Sequence, residues 1–242
     1  MEFPLVSIIV PMYNTAGCIA RCVKSICAQT YKSIEILLLN DGSTDDTLAV
    51  CRALAASDHR IALVDKTNTG AADTRNQGIA LAHGKYIQFV DSDDWLAPDF
   101  TEKLVSAAEA HTADLVIAPF WMVYPENYVE HIRPWEKALQ HVLQRNPPRT
   151  RAYGYLPAGV YTGQEYAKHL IQKPNTFYYG SPCNSSTAVT SCGSTASISA
   201  KNCLRRISCS TPNICVSCAP PFPSRTSAIT TCRTARASPT PE

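Results

Sequence analysis

The chain has 242 residues, 45% hydrophobic and 17% charged, enough to bury a substantial core as one large domain or two small ones. No apolar run approaches the ~20 residues that a membrane-spanning helix needs, and Met1, Glu2, Phe3 and Pro4 supply no basic leader, so a cytoplasmic start is expected. The net charge of +2 conceals an asymmetry: residues 1–180 hold 16 Lys and Arg against 19 Asp and Glu, whereas residues 181–242 hold 6 against 1.

Leu5 to Val10 is a nearly continuous β-branched run, the pattern of a strand buried on both faces. It ends at Pro11, Met12, Tyr13 and Asn14. Ile19, Cys22, Val23, Ile26 and Cys27 then recur at helix spacing, where reduced cysteines pack as small hydrophobes. Ile34 to Leu39 predicts a second strand, followed by Asn40, Asp41, Gly42, Ser43, Thr44 and Asp45, with Ser43 or Thr44 expected to cap the next helix. Ile61 to Val64 predicts a third strand ending at Asp65. An alanine-rich helix is expected from Ala71 to Ala82, stopped by Gly84, and Tyr86 to Val90 predicts the fourth strand. A helix from about Pro98 to His111 and a strand over Leu115 to Ala118 follow.

Strand and helix thus alternate four times in about 120 residues, which predicts an α/β fold: a mostly parallel, doubly wound sheet with helices on both faces. Such sheets bind ligands outside the carboxyl ends of their strands. Tyr13, Asp41, Asp65 and the Asp91, Ser92, Asp93 group each follow a strand, so all four are expected on one edge. From 119 to 160 the pattern loosens into a hairpin and loop carrying Trp121, Tyr124, Tyr128 and Trp135, aromatics that suit either an acceptor surface or packing against the sheet. Thr162 to Glu165 reads as a capping box opening a helix to about Ile171.

The densest chemistry is Asp91, Asp93 and Asp94. Carboxylates so close repel one another unless a cation or hydrogen-bond donors compensate them. Oxygen ligands suit Mg²⁺ or Mn²⁺, which bridge readily to substrate phosphates, although Ser92 or Asp94 could instead cap the following helix. Tyr13 offers a flat face for a base, Asp41 an acceptor for a base N–H, and Arg75 a partner for carboxylate or phosphate. The plainer alternatives are packing for Tyr13, an Asx turn for Asp41 and a surface ion pair for Arg75. Neither G-x-G-x-x-G after the first strand nor G-x-x-x-x-G-K-[ST] anywhere is present, which argues against a dinucleotide dehydrogenase or a P-loop enzyme.

Taken in order, Val10 to Asn14, Asn40 to Asp45, the stretch from Gly70 through Thr74, Arg75 and Asn76, and Tyr86 to Asp94 resemble the family 2 glycosyltransferases of the GT-A fold. The resemblance is close over 4–120, taken as the nucleotide-sugar-binding core, and thins over 121–184, a partial acceptor-side region. It implies an inverting transfer of sugar from a nucleotide (commonly UDP) sugar to a glycan or lipid-linked acceptor hydroxyl, and so a role in polysaccharide assembly. Tyr13, Asp41 and Pro11 would form the base pocket, with Asn14, Arg75 and Ser92 at the nucleotide. Asp91 and Asp93 would be the D-x-D pair holding Mn²⁺ or Mg²⁺, and Asp93 and Asp94 would stand at the reacting centre. A membrane-bound acceptor would place the enzyme peripherally, by transient contact, at the inner face of the membrane. No nucleic-acid partner is expected.

Such a reaction also needs a base for the acceptor's proton, which in this family is a carboxylate of a later E-D pair. Pro182, Cys183 and Asn184 begin the expected approach to it, and the pattern then collapses. Residues 185–242 contain no Asp, Tyr or Trp, and Glu242 is their sole acidic residue. Restoring a single A after the Asn184 codon, with suitable codons for the residues beyond, yields helical periodicity, balanced charge and the missing E-D pair; a frameshift is therefore the reading adopted for this stretch. As it stands the segment is too poor in large apolar residues to predict a folded unit. Cys215 and Cys218 have zinc-knuckle spacing but lack partner histidines.

Overall fold

The computed structural model describes residues 3–118, 120–123, 150–153, 158–171, 213–216 and 230–231. Its centre is a parallel sheet of β1 (Val6–Met12), β2 (Ile34–Asp41), β3 (Ile61–Lys66) and β4 (Tyr86–Phe89) in the order β3-β2-β1-β4. The intervening helices are α1 (Ile19–Cys27), α2 (Thr47–Ser57) and α3 (Ala71–Leu81), with α4 (Phe100–His111) after β4.

All seven residues of β1 are buried, because this central strand is covered on both faces. Alternation along the strands divides the core in two. Ile8, Val10, Ile36 and Leu38 pack with Ile19, Val23 and Ile26 of α1, Cys51 of α2, and Phe100 and Leu104 of α4. Ile9, Leu37, Leu39, Ile87 and Phe89 pack on the other side against Ile79 of α3. Helices on both faces make this the doubly wound α/β arrangement expected. Each such aliphatic side chain stabilises the fold by roughly 1.5–3 kcal/mol.

α3 approaches the sheet especially closely. A Cβ on Gly78 would lie 2.5 Å from Ile9 Cγ2 and 3.3 Å from Leu39 Cδ1, so glycine is what lets the helix sit there. Gly78 is three residues beyond Arg75, which ties this approach to the position of a predicted site residue.

The remaining strands form smaller ladders. β5 (Asp94–Trp95), β6 (Leu115–Ile117), β7 (Phe120–Val123), β8 (Thr150–Tyr153), β9 (Gly159–Thr162), β10 (Asn213–Val216) and β11 (Thr230–Thr231) pair in the orders β6-β10-β9 and β5-β11-β7-β8. β7 and β8 pair antiparallel, and the residues between them, where a hairpin and loop were expected, lie outside the described residues. The expected fifth strand exists as β6, but among the described residues it pairs with β10 rather than extending the central sheet. α5 (Gly163–Ile171) opens on the predicted capping box: Glu165 Oε2 accepts from Thr162 N–H at 2.8 Å, and Thr162 Oγ1 accepts from Glu165 N–H at 3.3 Å. Tyr124, Tyr128, Trp135 and most of 185–242 lie outside the described residues. None of the described helices is long and apolar enough to cross a membrane.

Candidate active site

In the order β3-β2-β1-β4 the chain leaves β1 toward β2 on one side and later returns to β4 on the other. The direction of winding reverses between β1 and β4, so their carboxyl ends open a crevice of the kind in which doubly wound sheets bind ligands. The loop after β1 and the turn after β4 flank it.

The β1 loop is held in shape by the loop after β2. Asn14 takes a left-handed backbone conformation (φ 53°), donates its N–H to Ser43 Oγ at 3.0 Å and accepts from Thr44 N–H at 2.8 Å. Thr15 N–H reaches Thr47 Oγ1 at 2.8 Å, and Ala16 N–H reaches Asp45 Oδ2 at 3.1 Å. This corrects one expectation. α2 begins at Thr47, and Ser43 and Thr44 are engaged with Asn14 instead of capping that helix. Tyr13, in this loop, is 43% exposed, while Pro11 is buried in β1.

Asp41, the last residue of β2, is 4% exposed. Its carboxylate accepts from Lys66 Nζ, from Thr69 N–H at 2.9 Å and from Gly70 N–H at 3.0 Å. Burial acts to raise its pKa, but the Lys66 ammonium and the two backbone donors outweigh burial and hold it below the usual carboxylate value. Asp41 fixes the loop from Thr67 to Gly70 that leads into α3, whereas the turn after β2 is held by Asn40, whose Oδ1 accepts from Ser43 N–H at 3.3 Å. Gly42 permits this, since its φ is +68° and a Cβ would meet Asn68 N at 2.8 Å.

The acidic turn is compact. Asp94 N–H donates to Asp91 O at 3.0 Å. One carboxylate oxygen each of Asp91, Asp93 and Asp94 lies within 4.8 Å of the others. Asp94 is 1% exposed and belongs to β5, and α4 does not begin until Phe100, so neither Ser92 nor Asp94 caps that helix. Arg75 reaches across from α3, its Nη2 at 2.9 Å from Asp91 Oδ1, with 15% and 28% of the two side chains exposed. The pair is an ion pair, largely withdrawn from solvent. The oxygen donors and spacing of the aspartates fit a hard divalent cation.

The structure thus brings Asp91, Ser92, Asp93, Asp94 and Arg75 together, with the β1 loop carrying Tyr13 and Asn14 across the crevice. Sequence reasoning missed two residues here. Lys66 neutralises Asp41 and also bonds Thr67 O (3.1 Å) and Thr69 Oγ1; its place immediately after Asp65 at a strand end was the available signal. Arg21, on α1, donates to Asp93 O at 3.1 Å.

Residues 7–167 match glycosyl transferase family 2. The chain is 39% identical over 116 residues to glycosyltransferase GlyA of Streptococcus pneumoniae, covering 48% of this chain and 17% of that protein. It is 46% identical over 101 residues to the chondroitin synthase of Pasteurella multocida, covering 42% of this chain and 10% of that one. Among solved structures, S. aureus TarS superposes on 52% of this chain and 23% of its own, with TM-score 0.47 and 25% identity. The chain thus spans a small part of each of these relatives.

Proposed function

Because the chain belongs to glycosyl transferase family 2, we propose that its crevice binds a UDP-linked sugar and serves transfer of that sugar, with inversion, to an acceptor hydroxyl. The observation that carries this reading is the acidic trio at the end of β4, gathered within 4.8 Å beside Arg75, with the exposed Tyr13 on the loop after the neighbouring strand β1. A uridine base stacks on Tyr13 above Pro11, with Asp41 and the loop it anchors shaping the pocket. Asn14 and Ser92 line the nucleotide's path.

Asp91 and Asp93 would hold Mn²⁺ or Mg²⁺, which when bound neutralises charge on the diphosphate leaving group. Arg75 orients Asp91 and adds positive charge on the same side. Asp94, buried at the turn, stands nearest the sugar. In the transfer the acceptor oxygen bonds to the anomeric carbon as that carbon's bond to the diphosphate oxygen breaks, and the electron pair leaves with UDP. The acceptor is a glycan or lipid-linked glycan; the stretch shared with a chondroitin synthase supports the former. A membrane-bound acceptor would be met at the cytoplasmic face.

The acceptor's proton needs a base, and one observation favours a second reading. The only acidic residue in 185–242 is Glu242, so the chain as written is a nucleotide-sugar-binding protein whose base was lost to a frameshift after Asn184. Turnover separates the two. The chain as written and a version with the frame restored are incubated with UDP-sugar panels, Mn²⁺ and acceptor glycans. Product from the restored chain alone supports the second reading, product from both supports the first, and product from neither overturns transferase function. Sequencing the gene around codon 185 removes the frameshift reading if no alternative frame encodes the E-D pair.

A further inference from the structure

α1 makes a run of contacts to the acidic turn that its amphipathic pattern does not require. Arg21, Cys22 and Ser25 lie on one side of α1, and Gln29 follows two residues beyond its end. Each touches the backbone of the segment that contains the aspartates. Arg21 Nη2 donates to Asp93 O at 3.1 Å, and Cys22 Sγ lies 3.5 Å from Asp91 O. Ser25 Oγ accepts from Leu96 N–H at 3.0 Å. Gln29 Nε2 donates to Ala97 O at 2.7 Å, and its Oε1 accepts from Thr101 N–H at 3.0 Å. Thr30 N–H then donates to Pro98 O at 2.8 Å just beyond the helix. From Asp91 to Thr101 the backbone is contacted by α1 and the short stretch that follows it.

Arg21 stands apart within this series. Cys22 and Gln29 are buried, as core residues should be, whereas Arg21 is exposed. Its guanidinium carbon is 3.8 Å from the centroid of the Trp95 ring, so one planar cation both stacks on Trp95 and bonds the Asp93 carbonyl. These two anchors bracket Asp94 in sequence. Three carboxylates gathered within 4.8 Å repel one another and would splay the turn. A permanent positive charge fixed on that turn's own backbone adds to the Arg75 ion pair at Asp91 in opposing the splaying.

We propose that α1 is the template on which the Asp91–Trp95 turn is shaped, and that Arg21 is a positioning residue that keeps the three carboxylates arranged for a divalent cation. The cation-holding part rests on the functional reading above; the templating part does not. The chain is compared as wild type, Arg21→Ala, Arg21→Lys and, as a control on the same helix, Lys24→Ala. Two quantities are measured: hydrogen exchange of the 91–97 backbone without metal, and Mn²⁺ affinity by titration calorimetry. Arg21→Ala is expected to speed exchange at the Asp94 and Leu96 amides while leaving β1 and β2 protected. It is also expected to weaken Mn²⁺ binding by about tenfold, the usual effect of removing a residue that orients a metal ligand. Arg21→Lys, which keeps the charge but not the stacked plane, falls between, and Lys24→Ala matches wild type.

Unchanged exchange over 91–97 in Arg21→Ala overturns the template role. Faster exchange spread over β1 and β2 overturns it as well, since that is general destabilisation. If Arg21→Ala loosens the turn but wild type itself binds no Mn²⁺, the template stands and the cation-holding reading of Asp91 and Asp93 falls.

Discussion

Replacing Gly78 by alanine tests how tightly the fold couples its core to the crevice. The new methyl carbon would lie 2.5 Å from Ile9 Cγ2, 3.2 Å from Ile9 Cδ1 and 3.3 Å from Leu39 Cδ1. Carbon atoms attract best at about 3.5–4.0 Å, so α3 or Ile9 must yield by about 1 Å. Overpacking of this kind costs about 1–3 kcal/mol, partly offset by the ~1 kcal/mol that alanine gains over glycine within a helix. The net expectation is a loss of about 0–2 kcal/mol, read from urea midpoints at unchanged slope. The more telling consequence is geometric. Arg75 sits about one turn earlier on the same helix, and a shift of about 1 Å would carry its 2.9 Å contact with Asp91 beyond hydrogen-bond range. Gly78→Ala should therefore weaken nucleotide binding more than its stability loss alone implies. Ile9→Ala opens space opposite, so combining the two should show a favourable coupling of roughly 1 kcal/mol or more in a double-mutant cycle. A Gly78→Ala chain with wild-type stability and binding, or a cycle without coupling, would refute the close-approach argument.

The depressed pKa of Asp41 gives a second prediction. Its stabilising contribution is fully present above the unfolded value of about 3.9 and is lost as pH falls through the lower folded value. Asp41→Asn should flatten the acid limb of the stability–pH curve below about pH 4, and an unchanged limb would count against Asp41 as the anchor of its loop. Thiol chemistry gives a third. Burial first, and then the charges of Asp94 and Asp91, push the Cys22 thiol well above its ordinary value, and burial pushes Cys51 up to about 11. Both should resist alkylation in the native protein and react once urea unfolds it; ready native labelling of Cys22, mapped by peptide mass, would contradict its place under the acidic turn.

The central sheet was legible because its signals are local. The continuous apolar runs at Ile8 and Leu37 required cover on both faces, and the spacing of Ile19, Val23 and Ile26 required a helix between them. The acidic cluster was legible for the same reason: Asp91, Asp93 and Asp94 lie within four residues of one another, so no tertiary information was needed to assemble them. What escaped was chemistry made by contact between distant segments. Ser43 and Thr44 look like helix caps, but Asn14, some thirty residues earlier, engages them first. Lys66 has no motif of its own, and its role exists only because β2 and β3 pair in a register that sets it against Asp41. Arg21 reads as an ordinary exposed position on an amphipathic helix until Asp93, 72 residues on, and Trp95 come to it. β6 has the composition of another central strand, but composition does not choose a partner, and β10 pairs with it.

The central claim, that the acidic turn and the Tyr13 loop form one site for a nucleotide sugar, is tested most directly by calorimetric titration of UDP. Wild type should bind UDP in Mn²⁺ and bind it far more weakly in excess chelator. Asp91→Asn combined with Asp93→Asn should lose affinity by roughly tenfold or more, about 1.4 kcal/mol, even with Mn²⁺ present. UDP binding that ignores both the metal and the two substitutions, or no binding under any condition, would contradict the account.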